Sequence, residues 1–170
     1  YVIRTGSLFV SLLLKERILK RYNRWSVAFT KSDWMTANLS KATVIKNPKG
    51  RFLADPFIVN YDDINVIFVE DYHYSSGQGV ISVVRILPDG SYKIVPDIIK
   101  ENFHLSFPYV FEYMGNIYMI PESHEAKAIR LYKCIRFPDK WEYLFNIMEN
   151  VSAVDTMAFE HSGRWWMLTN

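Results

Sequence analysis

Leu53-Ala54-Asp55-Pro56-Phe57-Ile58-Val59 decides how the chain is read, because it sets a carboxylate directly before a proline at the head of an apolar run. From Pro56 it is fourteen residues to Glu70, through a polar pair at Asp62-Asp63 and a second apolar run, Val66-Ile67-Phe68-Val69. The same layout returns from Pro108 to Glu122, with Tyr113 at the place of Tyr61 and Gly115 in the turn. It returns again from Thr156 to Asn170, where Phe159, Glu160, Gly163 and Met167 repeat Phe111, Glu112, Gly115 and Met119. Two apolar runs joined by a short polar turn predict a β-hairpin. Few residues are identical between copies; the register of runs, turn and strand entrance is what recurs.

Working outward, the first hairpin is followed by strand-like segments at 80–86 and 92–99 around the turn Leu87-Pro88-Asp89-Gly90. The second is followed by 128–135 and 141–148 around Phe137-Pro138-Asp139-Lys140. Four antiparallel strands recurring at spacings of 52 and then 48 residues are the pattern of a β-propeller blade. A blade cannot cover both faces of its own sheet, so each needs neighbours. The predicted fold class is therefore all-β: a partial β-propeller of four-stranded antiparallel blades over 25–170, with one short N-terminal helix. A half blade at 25–50 precedes whole blades at 54–103 and 106–150, and a second half blade occupies 153–170. Two whole blades and two halves leave the circle open, and the chain is expected to be a fragment whose missing C-terminal part completes it.

Residues 8–24 place Leu12, Leu13, Ile18 and Leu19 among Lys and Arg at near-helical spacing, which predicts an amphipathic helix or linker over 1–24. The apolar stretch in it is too short to span a bilayer. It leaves contact with a membrane surface as an option that nothing else in the sequence indicates. The composition, 49% hydrophobic and 16% aromatic, supplies a core, and a net charge of +2 whose one visible basic cluster, Lys15, Arg17, Lys20, Arg21 and Arg24, is confined to that segment predicts no nucleic-acid partner. Cys134 stands alone, which excludes an internal disulfide framework. A cytoplasmic or membrane-associated location is accordingly favoured over a secreted, disulfide-bonded one.

In a propeller the entrance of each innermost strand opens at one end of the central channel. The three entrances carry Asp55, Phe107 and Asp155. Paired carboxylates on separate blades are what cleavage of a glycosidic bond requires, one as acid and one as base or nucleophile. Asp55, Glu122 and Asp155 are thus the candidate catalytic residues, and an Asp that merely caps a turn is the plainer alternative for the first. Phe107, His104, Glu70 and Asp71 are the candidate substrate-binding residues, since aromatic rings stack on sugar faces and carboxylates hold hydroxyls. With no His pair at ligand spacing and Cys134 inside a strand, no metal site is predicted. Ser75-Ser76-Gly77-Gln78-Gly79 lacks the following helix of a phosphate loop, and no cofactor is expected.

Ala54-Asp55-Pro56-Phe57-Ile58 resembles the first-blade motif of the five-bladed propeller glycosidases, such as glycoside hydrolase family 43. A wider set is more specific: Arg51 to Phe57, Val69-Glu70-Asp71-Tyr72, Gly79-Val80-Ile81-Ser82, His104 to Phe111, Ile120-Pro121-Glu122-Ser123, Leu131-Tyr132, Phe137-Pro138 with Trp141, and Val154-Asp155-Thr156. Together these are similar to the N-terminal propeller-like domain of glucosamine inositolphosphorylceramide transferases and their bacterial relatives, over roughly residues 25–170. The resemblance implies five blades in full length and a separate glycosyltransferase domain. The glycosidases imply a general base, a second Asp that tunes the acid, and a Glu acid; only the base carries over, onto Asp55. Phe107 stands where the second Asp is expected, and Val154-Asp155-Thr156 replaces the usual third entrance. The expected function is a glycan-handling domain of a glycosyltransferase-like protein, whose partner is a saccharide or glycolipid head group. The alternatives are a divergent glycoside hydrolase with Asp55 as base and Glu122 or Asp155 as acid, and a non-catalytic structural module.

Overall fold

The computed structural model describes residues 24–33 and 35–170. The helix expected over 8–24 falls outside them but for Arg24. Twelve strands follow in order, all of them antiparallel to their neighbours: β1 (Ala28–Phe29), β2 (Thr43–Val44), β3 (Arg51–Tyr61), β4 (Ile64–His73), β5 (Gln78–Ile86) and β6 (Tyr92–Ile99), then β7 (Ser106–Tyr113), β8 (Asn116–Glu122), β9 (Ala128–Arg136), β10 (Lys140–Glu149), β11 (Met157–His161) and β12 (Arg164–Leu168). They form two four-stranded sheets, β3-β4-β5-β6 and β7-β8-β9-β10, and two hairpins, β1-β2 and β11-β12. This is the partial propeller read from the sequence, two whole blades between two halves. The leading half is thinner than expected, since only two residues on each side of it pair as strand. Among the described residues no helix is long and apolar enough to cross a membrane.

The run Val66-Ile67-Phe68-Val69 is apolar without alternation because both faces of its sheet are covered. Val66 and Phe68 point toward the second blade and join Ile81, Val83, Leu105, Val110, Ile117 and Met119 in the largest core cluster. Ile67 and Val69 point the other way, against Val27, Phe29 and Ile45 of the leading half blade. The second blade repeats the arrangement: Ile117 and Met119 face the first blade, while Ile120 packs with Ile129, Leu131, Ala153 and Ala158 toward β11-β12. Phe68 is fully buried and meets Phe137 and Trp141 edge-on, at centroid distances of 6.2 and 5.6 Å, which ties the two blades together by their outer turns as well.

Each hairpin inside the repeat turns on two residues with positive φ: Asp62-Asp63, Met114-Gly115 and Ser162-Gly163. Such turns match the right-handed twist of the strands they join. The entrances share a second device. Asp55, Phe107 and Asp155 have φ of 46°, 42° and 53°. In the first two blades the strand bulges at that point, between Ala54 and Phe57 and between Ser106 and Tyr109. A left-handed backbone at three equivalent non-glycine positions, one of them a bulky aromatic, is a strained corner that the surrounding pairing enforces. A bulge also re-aims the side chain it carries.

Phe68→Ala is expected to lower the free energy of unfolding by about 3–5 kcal/mol, through lost burial and the cavity left between the blades. Phe159→Ala, on an exposed stretch of β11, should change it by less than about 1 kcal/mol. Denaturant midpoints of the two variants check the difference.

Candidate functional site

Strand alternation separates Glu70 from Asp71. Glu70 continues the row of Val66 and Phe68 toward the second blade, while Asp71 continues the row of Ile67 and Val69 toward the other side. The two neighbours, read together as substrate-binding residues, therefore belong to two different clusters.

The first cluster lies at the blade entrances. The bulge turns Asp55 so that it hydrogen-bonds the buried Glu70 side chain, whose backbone pairs opposite Ala54. Burial, reinforced by the charges of Asp55 and Glu122, raises Glu70 to a pKa of about 8. At neutral pH Glu70 thus keeps its proton, because burial and the neighbouring carboxyl groups disfavour its charged form. The next blade also holds Asp55: its Oδ2 accepts the backbone N–H of Phe107 at 3.2 Å. Asp55 is exposed at this point, so it both caps a backbone group and faces solvent, combining the two readings weighed for it.

His104 closes the inner side of the pair. Its Nδ1 accepts the Gly79 N–H at 3.0 Å, which places the ring proton on Nε2, 3.4 Å from Glu70 Oε1. Burial lowers the His104 pKa against the pull of nearby Glu125 and Glu122, in keeping with a neutral ring. A Cβ at position 79 would sit 2.4 Å from the Leu105 carbonyl and 2.9 Å from both Glu70 Oε1 and His104 Cε1, so only glycine admits this approach. From the second blade Glu125 Oε2 accepts the His104 N–H at 2.8 Å, and Glu122 Oε1 lies 2.8 Å from His124 Nδ1. Asp55, Glu70, His104 and Glu122 are therefore brought into one neighbourhood. Asp155 stands at the third entrance, exposed, and among the described residues no hydrogen bond or ion pair connects it to them. Phe107 contributes its backbone N–H.

The Asp55–Glu70 pair opens into a groove of about 380 Å³ lined by Trp25, Ser26, Val27, Phe52, Ala54 and Pro56 as well. That volume lies within the range of small-molecule sites, about 300–1,000 Å³. Trp25 is 66% exposed, and Phe52 stacks on Tyr72 at a centroid distance of 4.8 Å. Neither ring was singled out from the sequence. Phe52 lies within the decisive motif, three residues before Asp55, and the spacing offered that signal; Trp25 arrives from the leading half blade and carried none.

The second cluster is centred on Asp71, whose side chain is fully buried. Arg51 Nη1 and Ser82 Oγ both donate to its Oδ2 at 2.9 Å, and Ser82 Oγ in turn accepts the Asp97 N–H at 3.0 Å. Burial raises the Asp71 pKa, opposed by the Ser82 bond and the Arg51 charge. Asp71, His73 and Asp97 bring three metal-ligating atoms within 4.8 Å of one another. No His or Cys pair marks this cluster in the sequence; Asp71 and His73, two residues apart, lie on one face of β4. Cys134 is not part of either cluster, and burial pushes its thiol up to about 11.

A stack of four-stranded blades whose first entrance carries an acid pair beside aromatic rings defines a propeller-like domain with a polar site at its entrance end. The chain belongs to the family described as the N-terminal domain of glucosamine inositolphosphorylceramide transferase 1, whose model matches residues 18–170. It is 34% identical over 143 residues to glucosamine inositolphosphorylceramide transferase 1 of Oryza sativa subsp. indica, covering 82% of this chain and 19% of that protein. To the protein of the same name from Arabidopsis thaliana it is 35% identical over 118 residues, 69% of this chain and 15% of the relative. The chain thus spans about a fifth or less of the length of the curated relatives it matches. No solved structure matches it significantly.

Glu70 makes the stability of this end of the fold depend on pH. Its folded pKa of about 8 lies above the ordinary value of 4.5. The contribution is fully present below pH 4.5 and is lost as pH rises toward 8. Glu70→Gln, a permanently neutral replacement, should flatten the decline in melting temperature over that window; an unchanged slope would assign the decline to other groups.

Proposed function

We propose that this domain binds a saccharide or glycolipid head group in the groove beside Asp55 and Glu70, as the glycan-holding part of a glycosyltransferase-like protein. The observation that carries the reading is the pair of carboxyl groups, Asp55 and Glu70, at the wall of a groove lined by Trp25 and Phe52. A protonated Glu70 can donate to a hydroxyl and the carboxyl oxygens of both residues accept, so the pair offers both halves of the hydrogen bonding that adjacent hydroxyls seek. The exposed Trp25 ring supplies an apolar face for the ring of the sugar. His104 and Gly79 hold Glu70 in place from behind. The relatives carry the name of a transferase acting on inositolphosphorylceramide, which makes inositol phosphate and amino-sugar head groups the first ligands to titrate. Calorimetry should register binding that weakens about tenfold or more in Asp55→Asn and in Trp25→Ala. Absence of heat with every head group and oligosaccharide offered would favour a domain that only organises its neighbours.

A divergent glycoside hydrolase is the second reading, and one observation favours it: Glu70, raised by burial to a pKa of about 8 beside Asp55, has the character of a general acid. This moves the acid role from Glu122 or Asp155 to Glu70. Against it stands the direct hydrogen bond between the two groups, because acid and base of a glycosidase are held about 5 Å or more apart to admit the scissile bond. Release of reducing sugar that vanishes in both Asp55→Asn and Glu70→Gln would establish hydrolysis; no release with a ligand that binds would leave holding as the role.

A further inference from the structure

We propose that Asp71, His73 and Asp97 form a binding site for one divalent transition-metal ion of the zinc or manganese class, on the side of the first blade that faces away from the Asp55–Glu70 pair. The site is independent of the saccharide reading. Its starting point is an oxygen. Asp71 is fully buried, yet only Oδ2 is served, by Arg51 and Ser82, and Oδ1 has no hydrogen-bond partner. A buried polar atom left without a partner is costly and calls for an explanation, of which an ion is one. Oδ1 is aimed at His73 Nε2, 3.8 Å away, and Nε2 is 3.6 Å from Asp97 Oδ1.

These separations suit an ion. Zinc binds nitrogen and carboxylate oxygen at about 2.0–2.2 Å, so ligand atoms around it in a tetrahedron stand about 3.4 Å from each other. His73 Nε2 would close on each carboxylate by a few tenths of an ångström, and the two carboxylates, within 4.8 Å of each other, by up to about 1.4 Å. An imidazole with two carboxylates is a donor set that borderline divalent ions accept. The outer groups are also arranged as such sites need them: Ser82 and Arg51 fix the non-ligating oxygen of Asp71, and Ser82 anchors the Asp97 backbone. Asp97 is held in a left-handed conformation, φ 54°, where β6 bulges against β5. That conformation brings a carboxylate from the outermost strand to a strand two places away. His73 and Asp97 are partly exposed, which leaves a way in.

Arg51 is the competitor. Its Nη1 is 3.3 Å from His73 Nε2 and 3.8 Å from Asp97 Oδ1, and Lys100 Nζ reaches Asp97 Oδ2 at 3.3 Å. The same Arg51 Nη1 donates to Asp71 Oδ2 at 2.9 Å, so an entering ion has to shift that nitrogen, and the guanidinium must rotate to keep hold of Asp71. The affinity is accordingly lower than that of a site with no resident cation.

Zinc chloride, and in a parallel series manganese chloride, titrated calorimetrically into the chelator-treated chain tests the site. The expected result is one ion per chain, with the melting temperature raised by saturating metal. Binding should weaken at least tenfold in His73→Gln and in Asp97→Asn. Because both side chains are partly exposed, these variants should keep the parent near-ultraviolet circular dichroism and its melting temperature in chelator. Affinity equal to the parent in both variants, or no binding of either metal up to millimolar concentration, overturns the proposal and leaves the three groups to Arg51 and Lys100.

Discussion

Four consecutive side chains, Val66, Ile67, Phe68 and Val69, have no contact with water, and they point alternately to opposite sides of one sheet. A sheet with two apolar faces is insoluble by itself, and the cost of exposing either face, about 25 cal/mol per Å², forces a neighbour onto both. The second blade and the leading half blade meet that demand for the first blade, and β11-β12 meets it for the outer face of the second. Stacking follows from burial, and the position of the residues at the blade entrances follows from stacking. Once the sheets are pressed together, strand entrances from successive blades are brought side by side, and residues 52 positions apart in the chain come within hydrogen-bonding distance.

The ends of the strands are where the apolar rows give out. On the row that starts with Val66 and Phe68, the next position is Glu70; on the row of Ile67 and Val69, it is Asp71. Both carboxyl groups are carried into partly dry surroundings by strands whose placement is settled by the core, and each needs a partner there. Glu70 finds a proton and Asp55. Asp71 finds Arg51 and Ser82 on one oxygen alone. The same architectural fact thus produces two polar clusters on the two faces of one blade, with different chemistry because the neighbouring strands supply different side chains.

The strands, their turns and the grouping into blades could be read from the residues, because the two-residue turns and apolar runs are local signals that packing then reinforces. The leading half blade was legible as two strands but not in extent, since Trp25 and its neighbours run as irregular chain along a groove. Asp55, Glu70, His104 and Glu122 could each be named as candidates. Their coupling could not, because it depends on which strand faces which, and on the close approach that Gly79 permits. The division between Glu70 and Asp71 was implicit in the alternation of β4, and was missed by treating an acidic pair as one unit. Asp97 was beyond reach, since nothing in the sequence announces the bulge that carries it inward.

The three left-handed corners at Asp55, Phe107 and Asp155 have nearly the same backbone angle and three different surroundings, with a carboxylate, an aromatic ring and a carboxylate in turn. A corner whose geometry is dictated by strand pairing places few demands on the identity of its side chain. Shape and chemistry at the mouth of the stack are in that sense inherited separately. One scaffold thus displays a different group at each corner without a change in the backbone that carries it.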